Sequence, residues 1–314
     1  MQETHSNKHP NDLGDEIDLR ELFYVLLEGK WIIVSVTAFV SIIGVIYSLL
    51  LPNIYESKAM LVPINSSSGI SGALGSYSGI AGIAGISLPP RRDESNSAKA
   101  LEKIGSLSFF ENNILANIHL PDLMAVKSWN SRTNTLAFNE SIYDTASNSW
   151  ISDSLNTQQQ IPSVQDSYRA FKNHLSLSED KKSGFITLSI KHQSPFVAKQ
   201  WAELVVDEVN AFYRQKDKSE SEKAVSYLNQ QISMTGLSEI KLVLAQLLQE
   251  EIKKLTLVEA NQYYVFDYID PPAVMEKKSE PKRSLICILS ALFGGILSIV
   301  LVLIRHYLIK QKAV

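Results

Sequence analysis

Residues 31–51 read WIIVSVTAFVSIIGVIYSLLL, and residues 284–304 read SLICILSALFGGILSIVLVLI. Each stretch is 21 residues long and carries no charge. At the helical rise each extends about 31 Å, which matches a bilayer hydrocarbon core of about 30 Å. Lys30 and Trp31 flank the first stretch, with Pro52 after it. Lys282 and Arg283 lead into the second, and Arg305, His306 and Tyr307 leave it. Basic and aromatic flanks are the usual interface anchors. A cleaved signal peptide would have a shorter apolar core and a small-residue cleavage site. Leu50-Leu51-Pro52 offers no such site. The reading is therefore a two-span membrane protein: tail 1–30, span 31–51, central domain 52–283, span 284–304 and tail 305–314.

Composition narrows the function. The 314 residues are 45% hydrophobic, with 30 Lys+Arg against 33 Asp+Glu and a net charge of −3. A nucleic-acid binder would be basic over at least one domain. The single cysteine, Cys287, excludes an internal disulfide framework and a cysteine-based zinc site. Between the spans 24 basic residues face 26 acidic ones, which argues against electrostatic capture of a highly charged polymer. Basic residues near the membrane do not decide orientation. Arg20, Lys30, Arg305, Lys310 and Lys312 on the tails balance Lys58, Lys277, Lys278, Lys282 and Arg283 on the central side. A long loop translocates largely regardless of charge. Both tails are thus expected in the cytoplasm and residues 52–283 outside the inner membrane.

Within the central domain, Tyr55–Val62 and Tyr263–Ile269 read as strands of one sheet near the membrane. Phe185–His192 reads as a third strand, with Ile186, Leu188 and Ile190 on one face. Residues 15–28 form an amphipathic helix before span one, and Asn96–Leu107 another short helix. Residues 122–165 are polar and irregular, with Trp129 and Trp150 as packing anchors. The segment 65–88 is rich in Gly and Ser and reads as a flexible loop.

The strongest helical signal starts at Ser194-Pro195, a good N-cap followed by proline at the first helical position. Trp201, Val205, Val209 and Phe212 follow at helical spacing, then a charged run 216–223, then Val225, Leu228 and Ile232. A helix over about 195–233 would be roughly 58 Å long and should protrude from a compact domain. A second helix over about 237–258 either folds back along it or continues after a kink. The apolar positions on the long helix are candidates for packing and oligomer contacts.

No enzyme constellation stands out. The histidines lack metal-ligand spacing, and no Gly-x-Ser-x-Gly elbow or Walker A motif occurs. No cofactor or metal is expected. Gly44, Gly294 and Gly295 are candidate helix contacts within the spans, because small residues let helices approach closely. Pro271, Pro272 and Pro281 suggest a stiff connector into span two.

With these motifs in order, the chain resembles the Wzz-type chain-length determinants, the polysaccharide co-polymerases. Asp15-Glu-Ile-Asp-Leu-Arg-Glu-Leu is similar to the family's segment before span one, and Pro52-Asn-Ile-Tyr-Glu-Ser to the stretch after it. Ser183-Gly-Phe-Ile-Thr-Leu-Ser-Ile with Ser194-Pro195, Ala198 and Trp201-Ala202 looks like its strand-to-long-helix junction. Asp270-Pro-Pro-Ala and Pro281 resemble its connector. The resemblance implies an α+β membrane protein with a periplasmic α/β base, a long protruding helix and a ring of subunits. It implies a non-enzymatic role, setting the modal length of a surface polysaccharide, foremost lipopolysaccharide O-antigen, made by a Wzy-type polymerase. The kinase branch carries a Walker motif and a cytoplasmic tyrosine cluster. Ten residues after span two and no Walker motif suggest the kinase-free class. The implied partners are the polymerase, other copies of the chain, the lipid bilayer and the nascent polysaccharide. Two other classes stay open: a two-span sensor with an external ligand domain, and a membrane-tethered periplasmic enzyme.

Overall fold

In the computed structural model, residues 19–64, 96–151, 161–260 and 263–312 are described. The Gly/Ser-rich segment 65–88 lies outside them. The chain divides into two units, Met1–Pro52 with Glu280–Val314, and Asn53–Ser279.

The first unit holds α1 (Leu19–Glu28), α2 (Lys30–Leu50) and the last helix of the chain, Arg283–Lys312. Lys30–Leu50 and Arg283–His306 are long and apolar enough to cross a membrane. They pack on each other along small and hydroxyl-bearing residues. Thr37, Ser41, Gly44 and Ser48 recur at steps of three and four on α2, so they share one helix face. Ser290, Gly294 and Ser298 do the same on the partner helix. Thr37 Oγ1 and Ser298 Oγ lie 3.4 Å apart. Ser41 donates to Thr37 O at 2.7 Å, and Ser298 to Gly295 O at 2.7 Å. Hydroxyls bonded inside their own helix bury little unsatisfied polarity and leave room for close backbone approach.

The second unit is built on a four-stranded antiparallel sheet. In chain order it contains β1 (Tyr55–Pro63), α3 (Asn96–Ile104) and α4 (Leu107–Phe109), which continues through a π turn (Phe110–Ile114) and a 3-10 turn (Leu115–Asn117). Next come α5 (Leu120–Met124) and two small hairpins, β2 (Val126–Asn130) with β3 (Thr135–Phe138), and β4 (Tyr143–Asp144) with β5 (Ser149–Trp150). Then follow α6 (Val164–His174), β6 (Leu175–Glu179), β7 (Ile186–His192), α7 (Pro195–Met234), α8 (Ser238–Ala260) and β8 (Phe266–Asp270). The closing helix Arg283–Lys312 of the first unit is α9.

The sheet order is β6-β7-β1-β8. The strands at 55–62 and 263–269 are thus neighbours in one sheet, as their places next to the two apolar stretches suggested. Ala59 pairs with Leu188 and Leu61 with Ile186. Ser57, Ala59 and Leu61 are buried while Lys58 and Met60 are exposed, the period-two pattern of a sheet with one covered face. The β6–β7 turn closes through Gly184, whose φ of 71° is left-handed and suits glycine. Gly184 N donates to Asp180 O at 2.7 Å.

α7 covers this sheet with its first half only. Ser194 caps it and Pro195 opens it. Ala198, Trp201, Ala202, Val205, Val206, Val209 and Tyr213 are buried with Ile186, Leu188, Ile190 and Phe266 in one core. Beyond Tyr213 the single buried residue of α7 is Ser221, so the second half leaves the core. At 40 residues α7 spans about 60 Å.

The alternative left open for the second helix resolves as a hairpin. Lys218, in the middle of α7, is ion-paired with Glu259, at the end of α8. Asp217 accepts a hydrogen bond from Tyr264 at 2.5 Å. The charged run 216–223 is therefore tied to the returning chain. Charges excluded from an apolar core still find partners at its edge.

Candidate functional site

Asn210 decides how α8 and β8 join the core. It lies on the buried face of α7, between Val209 and Tyr213, and is 3% exposed. Its Oδ1 accepts from the backbone N–H groups of Tyr264, Val265 and Phe266 at 3.1, 2.7 and 3.0 Å. Its Nδ2 donates to Phe266 O at 3.0 Å. A short turn that must leave a helix and enter a sheet has orphan donors, and one amide side chain satisfies them.

Beside this clamp α7 and the β8 segment enclose an open cleft of about 470 Å³. Glu203, Asp207 and Arg214 line it from the helix, and Tyr263, Tyr268 and Pro272 from the other wall. The rings of Tyr263 and Tyr268 meet edge to face at 5.7 Å. Burial, and then the negative charges of Glu203 and Glu208, push the Asp207 carboxyl above its ordinary range. Burial, with Asp207 and Glu203 nearby, pushes the Tyr268 phenol up as well. The cleft is acidic, aromatic and shallow.

The prolines fall on both sides of a tied connector. Pro271 and Pro272 border the cleft, and Pro272 is buried. After them the chain runs back along β1. Ser57 Oγ donates to Ala273 O at 2.9 Å, and Ser279 N to Ile54 O at 2.8 Å. Ser279 Oγ also bonds Glu56 at 3.1 Å, and Lys278 bonds Asn53 at 3.2 Å. Pro281 follows a cis peptide bond with Glu280 and belongs to the first unit.

The three glycines separate into two roles. A Cβ at Gly44 would stand 2.3 Å from Ser290 Oγ, and one at Gly294 would stand 3.0 Å from Val40 Cβ and 3.2 Å from Thr37 Cα. A Cβ at Gly295 would meet nothing within 4 Å. Gly44 and Gly294 thus face the partner helix of the same chain, while Gly295 faces away from it. The long-helix positions divide likewise. Trp201, Val205 and Val209 are consumed by the core, Phe212 packs at its margin, and Val225, Leu228 and Ile232 are half-buried beyond it.

Two histidines hold the start of α7. His192 is buried, with Nε2 2.9 Å from Asp122 O and Nδ1 accepting from Ser194 N at 2.9 Å. Its ring lies 5.1 Å from that of Trp201 and 5.7 Å from that of His174. Burial above all lowers its pKa to about 4. The pairing requires a neutral ring with its proton on Nε2. Among the described residues no group of three or more His, Cys, Asp or Glu is placed to hold a metal ion.

Residues 15–101 match the family "Wzz: Chain length determinant protein". Residues 15–101 are thus similar to the Wzz segment of chain length determinant proteins. Residues 240–307 match a second family, GNVR, described as "G-rich domain on putative tyrosine kinase". The Wzz segment supplies α2 and β1, and the GNVR segment supplies α9 and β8. Those are the two helices that pack together and two strands that pair, so the matched segments meet within each unit. No curated protein matches the chain. Among solved structures, a "full-length bacterial polysaccharide co-polymerase" aligns at 16% identity and a TM-score of 0.40, covering 95% of this chain and 100% of that one. A fragment of WzzB, a polysaccharide co-polymerase from Salmonella Typhimurium, aligns at 10% identity and a TM-score of 0.28, covering 73% and 100%. The family reading rests on the Wzz sequence match.

Sequence reasoning missed Asn210, His192 and Tyr264. One signal was available: an asparagine at a core-facing position of an otherwise apolar stripe. Its partners, the backbone of 264–266, are chosen by the fold.

Proposed function

We propose that this chain is a non-enzymatic polysaccharide co-polymerase that sets the modal length of lipopolysaccharide O-antigen made by a Wzy-type polymerase. The observation that carries the reading is the Wzz match over residues 15–101. Two candidate spans flanking a central α+β unit agree with it. In this reading the chain lies in the bacterial inner membrane, with both termini cytoplasmic and residues 52–283 periplasmic. Copies assemble as a ring, through the exposed half of α7 and through α8, where Ile240, Val243, Leu247 and Ile252 remain exposed.

The polymerase meets the spans on the face that carries Gly295, because Gly44 and Gly294 are occupied within the chain. The growing polymer engages the cleft beside Tyr263 and Tyr268. Carboxylates there accept from sugar hydroxyls, and rings cover their apolar faces. Length then depends on how long the polymer stays engaged. The test is a deletion strain whose surface polysaccharide is run on a gel. Deletion should turn a clustered band distribution into a random, short-biased ladder, and the complementing gene should restore the cluster. An unchanged ladder with polymer still made would overturn the length-control reading.

A further inference from the structure

The β2–β3 hairpin differs in composition from its surroundings. Residues 126–138 read VKSWNSRTNTLAF, with Lys127 and Arg132 and no acidic residue. Both cations are exposed. Trp129 lies between them, and its indole N–H donates to Asn134 Oδ1 at 2.9 Å across the turn. Its ring meets Tyr55 at 5.3 Å and Phe196 at 6.2 Å. Phe196, on the first turn of α7, is 46% exposed. None of the three rings belongs to the core that α7 and the sheet enclose. Three elements thus bring aromatic side chains to one end of the central unit, next to two cations.

Covalent connection says where that end lies. Tyr55 follows Leu51, the last residue of the first apolar stretch, by four residues. Four residues of extended chain reach at most about 14 Å. Ser279, bonded to Ile54 at 2.8 Å, precedes Ser284, the first residue of the second stretch, by five residues. Five residues reach at most about 18 Å. Both limits hold for any arrangement of the two units. The polar layer beyond the hydrocarbon core is roughly 5–8 Å deep on each side. The aromatic end is therefore leashed to the membrane from two sides. Trp and Tyr favour that layer because one part of the ring is apolar and the other bonds to water, and Lys and Arg pair with lipid phosphates.

We propose that the β2–β3 hairpin is a third membrane contact, with Trp129 in the phospholipid headgroup layer beside Tyr55 and Phe196, and with Lys127 and Arg132 on lipid phosphates. The proposal rests on the reading of 31–51 and 284–304 as membrane spans. Its occupant is the lipid surface, because the two covalent leashes keep this end within reach of the bilayer that both spans cross.

The test uses the full chain in vesicles of phosphatidylcholine and phosphatidylglycerol, with a share of phospholipid brominated near the headgroup end of the acyl chain. The quenching lost between the native chain and the Trp31→Phe chain reports insertion of the first span, because Trp129, Trp150 and Trp201 are present in both. In the Trp31→Phe chain, quenching should persist. It should be lost on adding Trp129→Phe and kept on adding Trp150→Phe. The pair Lys127→Glu and Arg132→Glu, which leaves Trp129 in place, should weaken quenching several-fold in phosphatidylglycerol vesicles. If Trp31 is quenched but the Trp129→Phe step changes nothing, the hairpin contact is overturned and the spans stand. If Trp31 itself escapes quenching, both fall.

Discussion

Asn210 illustrates how much a single polar side chain can decide at the residue scale. Its Oδ1 is the acceptor for three consecutive backbone N–H groups. Each buried donor left without an acceptor costs roughly 1–3 kcal/mol. Asn210→Leu keeps the branched shape at Cγ and removes the acceptor, so it should destabilise the central unit by at least about 3 kcal/mol. Denaturant unfolding of the detergent-solubilised chain, followed by far-UV circular dichroism, checks this. An unchanged midpoint would mean that the turn at 264–266 finds other partners. Only part of this residue's role was legible beforehand. An asparagine amid Val206, Val209 and Tyr213 signals a buried polar group, but its partners lie more than fifty residues away.

At the element scale the spans and the helical hairpin behave differently. The two candidate spans were visible as uncharged runs, because a helix that crosses a bilayer must be both long and apolar. Which glycine faces which helix was not visible, since the rotation of each helix follows from how the two pack. Gly44 and Gly294 face the other span and Gly295 does not. With Cys287 replaced by Ser, a Thr37→Cys and Ser298→Cys pair should cross-link the two spans on oxidation, because the native hydroxyls lie 3.4 Å apart. Adding Gly44→Leu should reduce the cross-link several-fold, and adding Gly295→Leu should leave it intact. Equal loss from both would show that the helices are rotated from the arrangement described. The hairpin of α7 and α8 had two readings at the sequence level. Lys218 with Glu259 and Asp217 with Tyr264 select the folded-back one.

For the molecule as a whole, the junction of β7 with α7 links stability to pH. The His192 ring is neutral in the folded state, and burial lowers its pKa from the ordinary 6.5 to about 4. The unfolded chain takes up that proton near pH 6.5 and the folded chain only near pH 4. Stability is therefore full above pH 6.5 and declines as pH falls toward 4, by about 3 kcal/mol from this group. His192→Asn keeps an acceptor near the position of Nδ1 and cannot titrate. Thermal unfolding of the native chain and of His192→Asn between pH 7 and pH 4 should diverge, with the native chain losing more. Parallel curves would place the acid sensitivity on other groups, such as the half-buried His174 or carboxylates.

What the sequence determined by itself was whatever depends on local physics. Two apolar runs of bilayer length, strand alternation at 55–62 and 186–192, and the Ser194-Pro195 start of a long helix are each readable within a few turns or strand repeats. Tertiary structure decided the rest. It set the register of β1 with β8, the division of α7 into a half that packs on the sheet and a half that packs on α8, and the backbone that Asn210 holds. It also separated the glycines that close the span pair from the one that faces outward. Those outcomes depend on contacts between residues far apart in the chain, and local periodicity says which face is apolar without saying what covers it.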